Sequence, residues 1–138
     1  MSTPYESATL ILTLYDMRRE TTLRDARKWF RNFSPDSPQA LVDTVAGSDS
    51  AKYRMVTTYW EMAAALVNHG AIDEALFNDA NGEHAAVFSK LEPHIAEYRT
   101  RIGVPHYLAN LEKLVMRLPN ASARLAALRE RLRATQKS

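Results

Sequence analysis

One acidic residue lies inside the most apolar stretch of the chain and is the first candidate for chemistry. Glu61 is the only acid in residues 55–67, and nearly all of the remaining residues in this stretch are apolar. A carboxylate on a buried bundle helix can anchor a ligand or a metal ion. The alternative, which we favour, is that Glu61 faces water or pairs with an arginine, because buried acids are normally paired. Arg99 and Arg101 are the expected partners.

If Glu61 does hold a ligand, nearby aromatic and basic side chains are expected to line the pocket with it. The sequence offers two tyrosines and one arginine for this role. The candidate polar or ligand site therefore consists of Glu61, Tyr59, Tyr98 and Arg101.

Metal and nucleophilic chemistry lack their usual sequence patterns. No glutamate is followed three residues later by histidine, as di-metal bundle sites require. The zinc-protease pattern His-Glu-x-x-His, the Gly-x-Ser-x-Gly elbow and a glycine-rich phosphate loop are also missing, and the chain has no cysteine. We therefore predict no metal, no cofactor and no enzymatic activity.

Basic residues concentrate on two predicted helices, near residues 24–31 and 124–133. Such faces can bind phosphate backbones or other anions. No recognition-helix motif accompanies them, so we favour a solvated surface or pairing with acids elsewhere in the chain. The candidate anion-binding residues are Arg24, Arg27, Lys28, Arg31, Arg124, Arg129 and Arg131, with Arg133 and Lys137 beside them.

The small net charge of +2 conceals a separation of charge along the chain. Residues 36–97 carry ten acids against three bases, and residues 98–138 carry nine bases against two acids. The two parts can attract each other within one molecule, contact each other head to tail, or leave a basic surface for an anionic partner.

The elements that position these residues are predicted to be helical throughout. Thr3, Pro4 and Glu6 form a helix start with a capping box, and Thr21 or Thr22 is expected to cap the second helix. Apolar residues recur at helical spacing, and no stretch alternates like a strand. The prediction is an all-α single domain over residues 1–138, with six or seven helices around a central buried helix at about 50–69.

Two helices carry more specific expectations. Apolar spacing continues through Pro93 without a phase shift, which predicts one bent helix at residues 83–102. The last helix carries a narrow seam of Leu125, Leu128 and Leu132. This seam either closes the protein's own bundle, which we favour, or pairs with another subunit.

The N-terminus shows no signal-peptide pattern, and the apolar run at residues 8–14 is far shorter than the ~20 residues that span a bilayer. The sequence therefore predicts a cytoplasmic protein without a membrane span.

The order of features from Tyr59 onward resembles an uncharacterised family of small bacterial helical proteins, known as a domain of unknown function. The resemblance covers roughly residues 59–99 and is weaker outside them. It rests on YWEMAAALV at 59–67, GAID at 70–73, LF at 76–77 and LEPHIAEYR at 91–99. It implies an all-helical domain with no established activity. Some relatives place a membrane helix before this domain, whereas the first helix here is short and carries Glu6 and Asp16.

The leading hypothesis from the sequence is a non-enzymatic helical module that acts through protein contacts, with self-association through the C-terminal helix. The alternative is a nucleic-acid or anionic-ligand binder that uses the basic helices near 24–31 and 124–133.

Overall fold

The protein folds into eight α-helices over residues 2–136, the part of the chain that the computed structural model describes. No strand occurs in this range, so the predicted all-α fold is confirmed, with one or two helices more than expected. Lys137 lies outside the described residues. The helices are α1 (Pro4–Arg18), α2 (Thr21–Asn32), α3 (Pro38–Ala46), α4 (Ser50–Asn68), α5 (Glu74–Ala80), α6 (Glu83–Ile102), α7 (Ala109–Met116) and α8 (Ala121–Gln136).

The predicted central helix is α4. It packs most extensively against α2 and α7 and also contacts α3 and α5. Tyr53 and Trp60 are fully enclosed, and Ala63 and Ala64 allow close approach of neighbouring helices. One edge of α4 remains at the surface, where Met55 and Met62 are exposed.

A second group of helices surrounds α6, which contacts α3, α7 and α8. Its inward residues Phe88, Leu91 and Ile95 continue the core. The helix runs through Pro93 without interruption, as the apolar spacing predicts, and ends at Gly103 in the left-handed conformation. The bend at Pro93 stays a prediction.

Local signals account for most helix starts. Thr3 and Glu6 form the expected capping box, and Ser37 caps α3 through the N–H of Ala40 at 3.1 Å. At α2 the prediction is wrong: Glu20, rather than either threonine, caps the helix by accepting the N–H groups of Thr22 and Leu23. A carboxylate has two acceptor oxygens and a negative charge that suits the helix dipole, which favours this choice.

None of the helices in residues 2–136 is both long enough and apolar enough to cross a membrane.

Candidate functional site

Glu61 caps the N-terminus of α7. The residue before α7, Leu108, has a left-handed backbone (φ 54°) and no side-chain group to cap the helix. Oε1 of Glu61 accepts the N–H of Leu111 at 2.8 Å, and Oε2 accepts the N–H of Asn110 at 3.2 Å. The Asn110 side chain donates to Oε2 as well, at 3.0 Å. Both carboxylate oxygens are thus occupied by a neighbouring helix, which gives Glu61 a structural role.

The arginines predicted to pair with Glu61 have other partners. Arg99 donates to Glu112 at 3.0 Å and to the carbonyl of Tyr107 at 2.8 Å. Arg101 pairs with Glu97 at 2.8 Å, four residues earlier on α6. The predicted arginine–Glu61 pair is therefore wrong, and backbone N–H groups satisfy the carboxylate instead.

The two tyrosines expected beside Glu61 are also engaged elsewhere. The hydroxyl of Tyr59 donates to the carbonyl of Leu14 on α1. The ring of Tyr98 packs against that of Tyr107, with centroids 5.3 Å apart. Arg101, unlike the two buried tyrosines, lies at the surface. The structure therefore does not bring these residues together with Glu61 into one pocket.

The predicted basic face of α2 divides into exposed and paired residues. Arg24, Lys28 and Arg31 are exposed. Arg27 instead turns toward α6, where Nη2 and Nε donate to Glu83 at 2.7 Å and 2.9 Å. This two-point ion pair neutralises Arg27 and joins α2 to the first turn of α6.

Glu83 also receives a hydrogen bond from the core. Nε1 of Trp60 donates to Oε2 at 3.1 Å. Burial alone would raise the pKa of the Glu83 carboxyl, but the hydrogen bonds and charge of Arg27, with help from Trp60, hold that pKa below its usual value. Glu83 is therefore ionised and connects three helices, α2, α4 and α6.

His84 follows Glu83 and is only 2% exposed. Its Nε2 lies 3.0 Å from Oδ1 of Asn78, an oxygen that can only accept, so Nε2 carries the proton. Nδ1 has no hydrogen-bond partner among the described residues. Burial lowers the pKa of His84 to about 4, against the opposing effect of the Glu83 carboxylate and with a smaller contribution from the charge of Arg18. The imidazole is neutral at physiological pH.

A cavity of about 280 Å³ lies between α2, α4, α6 and α8. Its polar lining comes from α2 and α6, and apolar residues from all four helices complete the wall. The polar members are Arg27, Arg31, Glu83 and Lys90, and the larger apolar members are Phe30, Val56, Val87 and Leu132.

Lys90 is the unusual residue of this cavity, because it is a lysine with only 7% of its surface exposed. Its Nζ donates to the carbonyls of Phe30 and Arg31, 2.8 Å and 2.9 Å away at the end of α2. Within residues 2–136 no carboxylate lies within ion-pair distance of this ammonium. Burial, together with the charge of Arg31, lowers the pKa of Lys90 to about 8.

The predicted anion-binding residue Arg129 stabilises the monomer instead. Pro93 has no N–H, so the carbonyl of Ser89 lacks its usual partner within α6. Nη1 of Arg129 donates to that carbonyl at 2.8 Å and to Glu92 at 2.9 Å. The basic α8 and the acidic part of the chain thus attract each other within one molecule, one of the three arrangements that the charge separation allows.

Two of the three leucines in the seam of α8 pack into the bundle. Leu125 is 1% exposed and belongs to the core, and Leu132 lines the cavity. Since α8 packs on α6, Leu125 and Leu132 contribute to the protein's own bundle, whereas Leu128 is only partly buried. Arg124 and Arg131 are exposed on the outer side of the helix.

The largest exposed apolar groups lie on α1, a helix not predicted to have an exposed apolar face. Tyr5 is 82% exposed, Leu12 67% and Tyr15 53%. The side of α1 that carries Ser7 and Leu14 is buried against the bundle, chiefly α5 and α2. Tyr5 and Leu12 therefore lie on the face directed away from the core, with Tyr15 at its flank.

Sequence reasoning missed Glu83 and Lys90, although a signal for them exists. Residues 83, 87 and 90 are spaced by four and three, which places Glu83 and Lys90 on one face of α6 with the buried Val87 between them. Lys90, with Ser89 before it, also separates the apolar residues Phe88 and Leu91. A lysine within a core stripe indicates a buried cation that needs partners.

The fold and these contacts define an all-α bundle in which partly buried charged residues join neighbouring helices. A cavity lies beside the buried Lys90. The chain belongs to the family described as Domain of unknown function (DUF4760), whose model matches residues 5–118. The resemblance inferred from the sequence is therefore confirmed. Comparison with curated proteins gives no match, and neither does comparison with solved structures.

Proposed function

We propose that this protein is a non-enzymatic helical module that acts through protein contacts, and that it associates with a second copy of itself through α1. The observation that carries the proposal is the exposed apolar face of α1. Tyr5, Leu12 and Tyr15 are spaced by seven and three residues, the repeat that paired helices use for their contact seam. Scattered surface apolar residues are ordinary, whereas a helical seam of them indicates a contact surface.

The charges along α1 favour an antiparallel pair. Glu6 lies in the first turn, and Arg19 caps the exposed C-terminal end. An antiparallel arrangement centred on Leu12 brings Glu6 and Tyr5 of one copy near Arg19 of the other, since Leu12 is midway between residues 5 and 19. A parallel pair would place like charges opposite each other. The antiparallel arrangement also pairs helix dipoles of opposite direction.

The contact is expected to be weak. A helix of 15 residues is about 22 Å long, and one such pair buries less than the ~1,600 Å² of a standard stable interface. We therefore expect a dimer that dissociates on dilution, and sedimentation equilibrium over a range of concentrations measures it. Leu12→Glu places two carboxylates at the two-fold axis and should abolish the dimer. Met116→Glu, at an exposed position on α7, should leave it unchanged.

Single cysteines test the direction of the pair, because the chain contains none. In an antiparallel pair Leu12→Cys lies on the axis and forms a disulfide-linked dimer under mild oxidation, whereas Tyr5→Cys does not. A parallel pair links both variants. If Leu12→Cys links no faster than Met116→Cys, and Leu12→Glu leaves the mass unchanged, α1 is not a self-association surface.

A further inference from the structure

We propose that the cavity between α2, α4, α6 and α8 binds a small amphipathic monocarboxylate, with its carboxylate at Lys90 and its apolar body against Phe30, Val56, Val87 and Leu132. The proposal is independent of self-association through α1, because none of these residues belongs to that helix.

The need for an anion follows from the surroundings of Lys90. Its ammonium is buried without a carboxylate partner in the described part of the chain, and a buried charge is costly unless it is paired. Two of its three N–H groups donate to the carbonyls of Phe30 and Arg31. The third N–H is left for a further acceptor. A bound carboxylate supplies both the missing acceptor and the missing charge.

The balance of charge around the cavity favours a single negative charge. Arg27 and Glu83 neutralise each other through their two-point ion pair. Lys90 then remains as the buried cation, with Arg31 more exposed at its side. A phosphate monoester carries about 1.5 to 2 negative charges at pH 7, more than one buried ammonium balances. A carboxylate matches one buried ammonium.

The apolar wall and the volume define the rest of the ligand. Phe30, Val56, Val87 and Leu132 offer no hydrogen-bonding side-chain group. A volume of about 280 Å³ holds roughly nine groups of water size at ~30 Å³ each. This corresponds to a carboxylate with an unbranched chain of about eight carbons, so octanoate is a suitable probe.

Isothermal titration calorimetry with octanoate tests the proposal, with 1-octanol and acetate as matched compounds. Octanoate should bind to the wild-type protein at least tenfold more tightly than 1-octanol, which lacks the charge, or acetate, which lacks the long apolar chain. Equal binding of octanoate and 1-octanol, or no octanoate binding at millimolar concentration, would overturn the proposal.

Variants locate the site. Lys90→Met keeps the length of the side chain and removes its charge, and should weaken octanoate binding at least tenfold. Lys113→Met removes an exposed lysine on α7 and should change nothing. Ala86→Leu fills the cavity, leaves Lys90 in place and should also prevent binding. Circular dichroism checks that each variant is folded. Binding that survives both Lys90→Met and Ala86→Leu would exclude this cavity as the site.

Discussion

Glu61 and Leu111 are 50 residues apart in the chain, yet Oε1 of Glu61 accepts the backbone N–H of Leu111 at 2.8 Å. The carboxylate of the central helix thereby determines where α7 begins. In the sequence, Glu61 is an acid within an apolar stretch and is therefore a candidate ligand-binding residue. Its two oxygens instead meet N–H groups that the left-handed Leu108 leaves without a local cap.

Glu61→Ala should lower the free energy of unfolding by about 1–2 kcal/mol, the usual cost of losing a helix cap. The loss arises because the N–H groups of Asn110 and Leu111 then lack an acceptor. Urea unfolding followed by circular dichroism measures it. The matched control is Glu97→Ala, which removes an exposed i,i+4 ion pair with Arg101 and should cost less than about 0.5 kcal/mol. Similar losses in the two variants would contradict the capping role.

Pro93 and Arg129 should be energetically coupled. Arg129 bonds the Ser89 carbonyl that Pro93 leaves without a helical N–H. In Pro93→Ala the alanine N–H can bond that carbonyl, so Arg129→Ala should cost about 1 kcal/mol less in this background than in the wild type. A double-mutant cycle of unfolding free energies measures the coupling.

The ion pair of Arg129 with Glu92 provides the control for this cycle. Pairing Arg129→Ala with Glu92→Gln reports only the charge contact at 2.9 Å. If the effects of Pro93→Ala and Arg129→Ala on the free energy of unfolding add within about 0.3 kcal/mol, Arg129 does not compensate for the N–H that Pro93 lacks.

Glu83→Ala should lower the free energy of unfolding by about 2–3 kcal/mol, more than substitution of an exposed ion-paired residue. It leaves the partly buried guanidinium of Arg27 and the indole N–H of Trp60 without their acceptor. Thermal and urea unfolding both measure the loss. Glu74→Ala breaks an exposed pair with Arg117 and should cost under about 1 kcal/mol. Equal costs would mean that the Glu83 cluster adds no more than a surface ion pair.

His84 should make the free energy of unfolding depend on pH from about 6.5 down to about 4. Its pKa is about 4 in the folded protein, below its ordinary value of 6.5, so the unfolded chain binds more protons in this window. The contribution of the neutral His84 to the free energy of unfolding is therefore fully present above pH 6.5. It decreases as the pH falls, by up to about 3 kcal/mol once the pH is below the folded pKa. Unfolding free energies measured at half-unit pH intervals test this.

His84→Gln separates this effect from that of the carboxylates. The pKa of Glu83 is lowered as well, but its proton is gained mainly below pH 4.5. Replacing His84 should therefore make the free energy of unfolding nearly independent of pH from 6.5 to 4.5. The steeper decrease below pH 4.5 should remain. An unchanged slope in that upper window would exclude His84 as its source.

Local patterns predicted the fold because they act within a few residues. The capping box of Thr3 and Glu6, the cap at Ser37 and the stop at Gly103 depend on hydrogen bonds or backbone angles of adjacent turns. The apolar spacing likewise predicted that α6 continues through Pro93. These contacts are fixed once the sequence is known, so their positions could be predicted.

The sequence by itself thus determined which segments are helices, which helix is central and to which family the chain belongs. Only the tertiary structure decided what the charges do. Glu61 caps α7, Arg129 completes the hydrogen bonding at Pro93, and Lys90 donates to the end of α2 beside a cavity. Each of these contacts joins residues more than 35 positions apart in the chain. The physical reason is range: a helical repeat fixes the face on which a side chain lies, whereas the partner it meets depends on how separate helices pack.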